Sequence, residues 1–339
     1  MNWLLLTDLH LTALARDEYR WGLFQWLINK TEQGYGALSI FILGDLTDAK
    51  DFHSAQLINR LVENLVKLYR GTRALEIVIL RGNHDGVDPG CPYFRFLRHF
   101  PFIKYIETPF AYEVDGLNLQ LLPHSRDPET DWHDADLHRA DIVLAHVTVT
   151  GAVSENGMPL QGTPAALFRT THAKIYSGDV HVPQKIGKVE YVGAPYPIRF
   201  GDKFKPRCVL LNRGKIIEEW HYPTIQRHML TVSHSKELEK LAVGLRKADQ
   251  VKVRIRLGAE RYSEWPAYKK QVISFCAEHE VELFGVELVS NKKPTISVSL
   301  PAQTSARTHQ EILHMHCEQN KLDAHTAAVG KELLDALEL

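Results

Sequence analysis

Within the first eighty residues, the runs NWLLLT (2–7), LSIFIL (38–43) and LEIVIL (75–80) are apolar at successive positions rather than at alternate ones. Strands of that texture are buried on both faces. Helical patterns from about Arg16 to Lys30 and from about Ser54 to Tyr69 separate them, so the spacing predicts parallel strands joined by crossover helices. After Pro101 the texture shortens: FAYEV and LNLQLL flank Asp115-Gly116, a hairpin signal, and DIVLAH, AKIYSG, KVEYVG, RCVLL and KIIEEW follow as strands. The expected first domain, residues 1–225, is therefore α/β with an antiparallel contribution.

A second module is expected over residues 226–300. It reads as strand RHMLTVS, helix from about Lys236 to Lys247, strand VKVRIRL, helix from about Glu264 to His279, then strands ELFGVELV and TISVSL. Its length, about 75 residues, is near the lower end of what folds alone. Residues 301–339 read as a polar helical tail whose narrow apolar stripes, ending in Leu333 and Leu337, are too thin to close a core.

Forty basic and forty-one acidic side chains leave a net charge of −1. The molecule as a whole has no bulk attraction for a polyanion, so a nucleic acid would have to be held by a local patch or a bound metal. A hydrophobic share of 44% excludes disorder and collagen. The four cysteines are scattered with no Cys-x-x-Cys pair, which excludes a zinc knuckle or disulfide framework and fits a reducing cytoplasm. No apolar run reaches the roughly 20 residues of a spanning helix, so no membrane association is expected. The WLLL start resembles a secretory leader, but Asp8 and His10 interrupt it and no basic segment precedes it.

Five short motifs each follow an apolar run: Asp8-Leu9-His10, Gly44-Asp45-Leu46-Thr47-Asp48, Gly82-Asn83-His84-Asp85, His146, and Gly178-Asp179-Val180-His181. In an open α/β sheet the ligand crevice lies beyond the carboxyl ends of the strands, where all five would fall. Singly, each reads equally well as a turn, a helix cap or a core histidine. As an ordered set they predict one dinuclear metal site. Carboxylate, imidazole and amide donors without a thiolate suit Mn²⁺, Fe or Zn²⁺, and the carboxylates tilt the set toward Mn²⁺. The glycines before Asp45, Asn83 and Asp179 are expected to let the backbone turn so that each ligand faces an ion.

The order Asp-x-His, Gly-Asp-x-x-Asp, Gly-Asn-His-Asp, His, Gly-x-x-His resembles the calcineurin-like metallophosphoesterase superfamily over roughly residues 1–222. Within it, YSGDVHVPQKIGKVEYVGAPYPIRFGD is similar to the SbcD type of DNA nuclease, in the short form found in bacteriophages. The resemblance implies an αββα sandwich with a smaller α/β capping domain and a helical tail. It also implies two divalent ions, most simply Mn²⁺ with Mg²⁺ as an alternative. Asp8, His10 and His181 would hold one, Asn83 and His146 the other, and Asp45 would bridge them. His84 would be the acid or charge-stabilising group at the leaving oxygen, with Asp48 orienting its imidazole. A metal-bound hydroxide would attack phosphorus in line.

One position departs from the pattern, because the family's usual Gly-His-x-His reads Gly178-Asp179-Val180-His181 here. If Asp179 is a ligand, three carboxylates offset the four positive charges of two divalent ions where the usual two would, which favours harder ions and makes bound water less acidic. If it lies outside the shell, the second site is weak.

The run IRFGDKFKPR sets Arg199, Lys203, Lys205 and Arg207 against a single acid, Asp202, with Phe200 and Phe204 interleaved. It is the expected DNA contact, with Lys185 and Lys188 on the preceding strand in support, and a solvated loop is the plain alternative. His53 and His124 read as turn or surface residues. Leu57, Leu61, Leu65 and Leu68 form a helical stripe that packs on the sheet, with a dimer face as a second reading.

The resemblance further implies a subunit of a nuclease–ATPase complex in recombination and repair, trimming duplex ends and cutting single strands or hairpins. Its partners would be DNA and an SbcC-like coiled-coil ATPase, in a heterotetramer containing two copies of this chain, with Leu333 and Leu337 presented to the ATPase. The site alone leaves open a small-substrate phosphodiesterase or phosphatase, and a weakly active scaffold.

Overall fold

The computed structural model describes residues 1–234 and 236–290 and, beyond them, residues 313, 316–318, 328, 329 and 331. Two compact units span Met1–Asn291 and Lys292–Leu339. TISVSL, Leu333 and Leu337 lie outside the described residues. Among the described residues no helix is long and apolar enough to cross a membrane.

The first unit is a mixed α/β fold built on two six-stranded sheets, consistent with a metallophosphoesterase sandwich. Strands β1 (Asn2–Leu6), β2 (Leu38–Ile42), β3 (Ile77–Leu80) and β4 (Ile103–Ile106) run parallel in one sheet. The pair β11 (Cys208–Asn212) and β12 (Lys215–Trp220) extends it antiparallel to β1. The other sheet has the order β5 (Phe110–Val114), β6 (Leu117–Leu122), β7 (Ile142–His146), β8 (Lys174–Gly178), β10 (Val189–Tyr191), β9 (Gln184–Ile186).

The successive apolar residues of β1 divide between two cores. Leu4 and Leu6 pack toward helices α1 (Glu18–Thr31) and α2 (Ala55–Thr72), while Trp3 and Leu5 pack with Leu121 and Leu144 of the facing sheet. Ser54 caps α2, its hydroxyl accepting from the Leu57 amide at 3.2 Å. Leu57, Leu61, Leu65 and Leu68 are wholly or almost wholly buried against the sheet, each stabilising the fold by about 2 kcal/mol. That burial uses the stripe up and removes the dimer-face reading.

Strand β4 was not expected, because Phe102–Glu107 is too short and too mixed to stand out beside its neighbours. The hairpin at Asp115-Gly116 forms as expected. The short helix α3 (Pro128–Asp131) lies in the β6–β7 connection. A third, three-stranded parallel sheet holds β13 (Arg227–Val232), β14 (Gln250–Leu257) and β15 (Glu282–Ser290), with α4 (Lys236–Leu241) and α5 (Trp265–Glu278) between them. Its own core includes Val232, Val253, Ile255, Val272 and Phe275. Helix α4 is shorter than expected and passes into a 3₁₀ turn at Ala242–Gly244.

Candidate metal centre

The parallel registers Leu6↔Ile42, Ile42↔Ile79 and His146↔Gly178 end the ligand-bearing strands at one edge. The loops leaving that edge turn abruptly. Asp8, His10, Asp45 and Asp179 all have positive φ, at 53°, 42°, 57° and 77°, a conformation that costs a non-glycine residue about 1–2 kcal/mol and that gathers at functional sites. Only one glycine serves the expected turn, Gly44 at φ 95°, and a Cβ there would also lie 2.2 Å from His146 Nδ1. Gly82 answers a different need: a Cβ would meet Asp45 Oδ1 at 2.1 Å and the Asp45 amide nitrogen at 2.4 Å. The chain approaches itself there more closely than any side chain permits.

Asp45 lies at the middle of the cluster. Its Oδ2 is 3.5 Å from His10 Nε2, and its Oδ1 is 3.4 Å from His146 Nε2 while accepting from the His84 amide at 2.8 Å. On the first side, His10 Nε2 and His181 Nε2 are 3.2 Å apart, and ligand atoms of Asp8, His10 and His181 all lie within 4.8 Å of one another. On the other, Asn83 Oδ1 and Asp179 Oδ1 are 3.3 Å and 3.6 Å from His146 Nε2. Asp8, Asp45 and His146 form a second group of the same compactness. All seven expected ligands thus meet at one place, Asp179 included, its other oxygen accepting from Thr148 Oγ1 at 2.7 Å.

Buried carboxylates in such numbers set the electrostatics. Burial, with Asp85 and Asp8 nearby, pushes Asp45 well above the ordinary carboxylate range. Burial pulls His146 down, but Asp45, Asp179 and Asp8 overcome it and hold the imidazole up at about 9. Burial instead takes His10 down to about 4. Anionic groups shielded from water and aimed at one another need a cation between them. The donor set fits divalent ions: Asp8 is common to the Asp8–His10–His181 and Asp8–Asp45–His146 groups, and Asp45 faces both His10 and His146.

The expected contact between Asp48 and His84 is corrected. His84 Nδ1 donates to the main-chain oxygen of Asp48 at 2.6 Å, while the Asp48 carboxylate faces His10 Nδ1 at 3.5 Å. The left-handed turn at Asp45 delivers the Asp48 backbone to the imidazole. The His10 and His84 rings meet edge to face, 4.8 Å between centroids.

Three residues escaped the sequence reading. Asp85, fully buried, accepts from the amides of Asp45, Leu46 and Gly82 at 3.1, 3.0 and 2.6 Å and so ties the β2 and β3 loops together. Burial pushes its pKa up and those amides oppose it. It closes the motif Gly82–Asp85, but nothing in the motif distinguishes tying from ligating. Glu155 lies against His181 Nδ1; burial opposes its ionisation, yet His181 brings it down to about 2. Its loop, SENG, carries no signal. His124 follows β6, as the ligands follow their strands, and its ring is 6.1 Å from that of His146. Burial and His146 push it down to about 4, and it lies half-buried in the loop that follows β6. His53 is half-buried, 2.7 Å from Thr47 Oγ1.

The centre opens into a cleft of 260 Å³ that includes Glu155 and Arg199, and these two also line an adjoining cleft of 710 Å³. Arg199, Lys203 and Arg254 line the larger one. Of the expected DNA contacts, Arg199 and Lys203 are exposed there, and Lys205 is exposed outside it. Arg207 is not available. Its guanidinium donates to the main-chain oxygens of Val192 and Tyr191, both at 3.0 Å, and pairs with Glu219. Lys188 likewise binds main-chain oxygens of Arg169 and Thr171. Asp202, the lone acid of the run, accepts from the amides of Ile198 and Arg199 and shapes the loop.

A family model described as calcineurin-like phosphoesterase matches residues 1–183. Among solved structures, the chain matches a novel archaeal phosphodiesterase at 13% identity and a TM-score of 0.35, covering 65% of this chain and 99% of that one. It also matches a protein of unknown function from Aquifex aeolicus at 14% identity and a TM-score of 0.26, covering 43% of this chain and 77% of that one. No curated protein matches the sequence.

Proposed function

The chain belongs to the calcineurin-like phosphoesterase family, a family of metal-dependent phosphoester hydrolases, and from that premise we propose that it is a DNA nuclease acting on phosphodiesters. The observation that carries this reading is the direct passage from the Asp45-centred donor cluster into a cleft lined by Arg199 and Lys203. Cations beside the reacting centre suit a polyanionic backbone, and a chain with net charge −1 needs such a local patch to bind one.

In this reading Asp8, His10 and His181 would hold one divalent ion and Asn83, His146 and Asp179 the other, with Asp45, which faces both His10 and His146, available to each. When bound, the ions polarise the phosphodiester and supply a nucleophile at neutral pH, and Mn²⁺ best suits the donors. The chain does the positioning. Leu43 O accepts from His146 Nδ1 at 2.5 Å, which leaves Nε2 with its lone pair toward the centre. Behind His181, the Glu155 carboxylate pairs with Nδ1. His84, its Nδ1 given to Asp48 O, presents Nε2 to the leaving oxygen, where it stabilises charge or donates a proton.

Activity on a labelled DNA strand with Mn²⁺, against the same assay with His84→Ala, tests the reading. Cleavage that falls by about 10²–10⁴-fold in the variant is expected. Cleavage of small phosphodiesters alone would favour the small-substrate alternative. No hydrolysis of either would leave the scaffold reading. The place of this chain beside an SbcC-like coiled-coil ATPase, docked through Leu333 and Leu337 in a heterotetramer with two copies of the chain, rests on the layout of the motifs and modules. Co-purification with the product of a neighbouring ATPase reading frame, lost on truncation after residue 300, is the test of that partner.

A further inference from the structure

Several large apolar side chains are left in water close to the metal centre. Leu14, Phe52, Val87 and Met158 are 48, 93, 52 and 61% exposed, and each belongs to a loop that leaves a strand at the metal-centre edge. Phe52 is the extreme. Folding ordinarily buries such a ring, yet both neighbours are fastened while it is held out. Asp51 Oδ1 accepts from the Val87 amide at 3.0 Å, and the His53 ring packs on Tyr93, 4.0 Å between centroids.

The fastened loop adjoins the reacting centre. Asp48, whose main-chain oxygen holds His84, is four residues from Phe52, a span of at most about 14 Å. Val87, three residues beyond His84, is tied to the same loop and its carbonyl accepts from Arg126 at 3.1 Å. Lys50 and Arg126 are both exposed, and Lys50 acts electrostatically on His124 beside His146. An exposed ring on a loop that carries one cation, Lys50, and is tied to Val87, whose carbonyl holds another, Arg126, suits an unpaired nucleobase flanked by phosphates. Away from its ends, a duplex would offer that ring no free base face.

Resting on the nuclease reading, we propose that Phe52 is a specificity-determining residue that stacks on an unpaired base neighbouring the scissile phosphate, so that the centre takes single-stranded or frayed nucleic acid. Base–aromatic stacking is sequence-tolerant, because every base has a π-face.

The test compares kcat/KM with Mn²⁺ for oligothymidylate and for a deoxyribose-phosphate strand of equal length without bases, in wild type, Phe52→Ala and Phe52→Trp. The expected result is that Phe52→Ala lowers the ratio of the two values about tenfold, and that Phe52→Trp retains it. The abasic strand reports on folding and metal loading, so a general loss leaves the ratio untouched. As a readout without turnover, the fluorescence of Phe52→Trp, against the wild-type background, falls on adding oligothymidylate and not on adding the abasic strand. An unchanged ratio and unchanged fluorescence, with both strands cleaved, overturn the stacking role and leave the nuclease reading standing. Failure of the wild type to cleave or bind either strand overturns both.

Discussion

The centre's two outer histidines do the same job with different backing. His146 is completely buried, and its Nδ1 meets the main-chain oxygen of Leu43 at 2.5 Å. His181 is partly exposed, and its Nδ1 meets the carboxylate of Glu155. The first arrangement follows from the strand register and tolerates no adjustment. The second rests on a loop side chain, and a carboxylate behind an imidazole makes it a more basic ligand. The half of the site built on His146 is therefore set by the fold, and the half built on His181 by an added residue. An Asp179 carboxylate oxygen lies 3.6 Å from His146 Nε2, so a carboxylate stands beside each of the two histidines in addition to the central Asp45.

The comparison breaks most completely at the residue common to both halves. Asp45→Ala should lower phosphodiesterase activity by at least about 10³-fold, since a shared ligand disables both ions together. A variant that keeps a tenth of wild-type turnover would show that the halves work independently. A smaller effect sharpens the difference: Glu155→Gln should cost about 10–100-fold in metal affinity or activity, read from the Mn²⁺ dependence of the rate. Equal Mn²⁺ half-saturation in wild type and variant would make the carboxylate backing irrelevant. Asp179→His should act more weakly, raising the local charge by one and moving the acid limb of the pH–rate profile down by about one unit. It should also loosen the preference for Mn²⁺ over softer ions; an unchanged profile and metal preference would place Asp179 outside the ligand set.

How far the centre was legible in the sequence follows the same division. The strands and the seven donors could be read because burial on both faces and strand-end motifs are written locally, as in LSIFIL followed by Gly44-Asp45. Glu155 could not, since the β7–β8 loop that brings it to His181 has no periodicity. The exchange of contacts at Asp48 was equally hidden, because a main-chain oxygen carries no residue identity. Arg207 misled for the opposite reason. Its charge stands in a basic run, but the strand pairing that places Glu219 and the Tyr191 and Val192 carbonyls around it is a long-range event. His124 follows β6 after Pro123 and so obeys the strand-end rule, but no metal-type motif residue accompanies it there.

Calorimetric titration of the metal-stripped chain with MnCl₂, in wild type and Asp45→Asn, addresses the shared carboxylate most directly. Two Mn²⁺ per chain in the wild type, with both sites weakened together in the variant, is the expected result. A wild type that takes up no Mn²⁺, or a variant in which two sites bind as tightly as before, would contradict it.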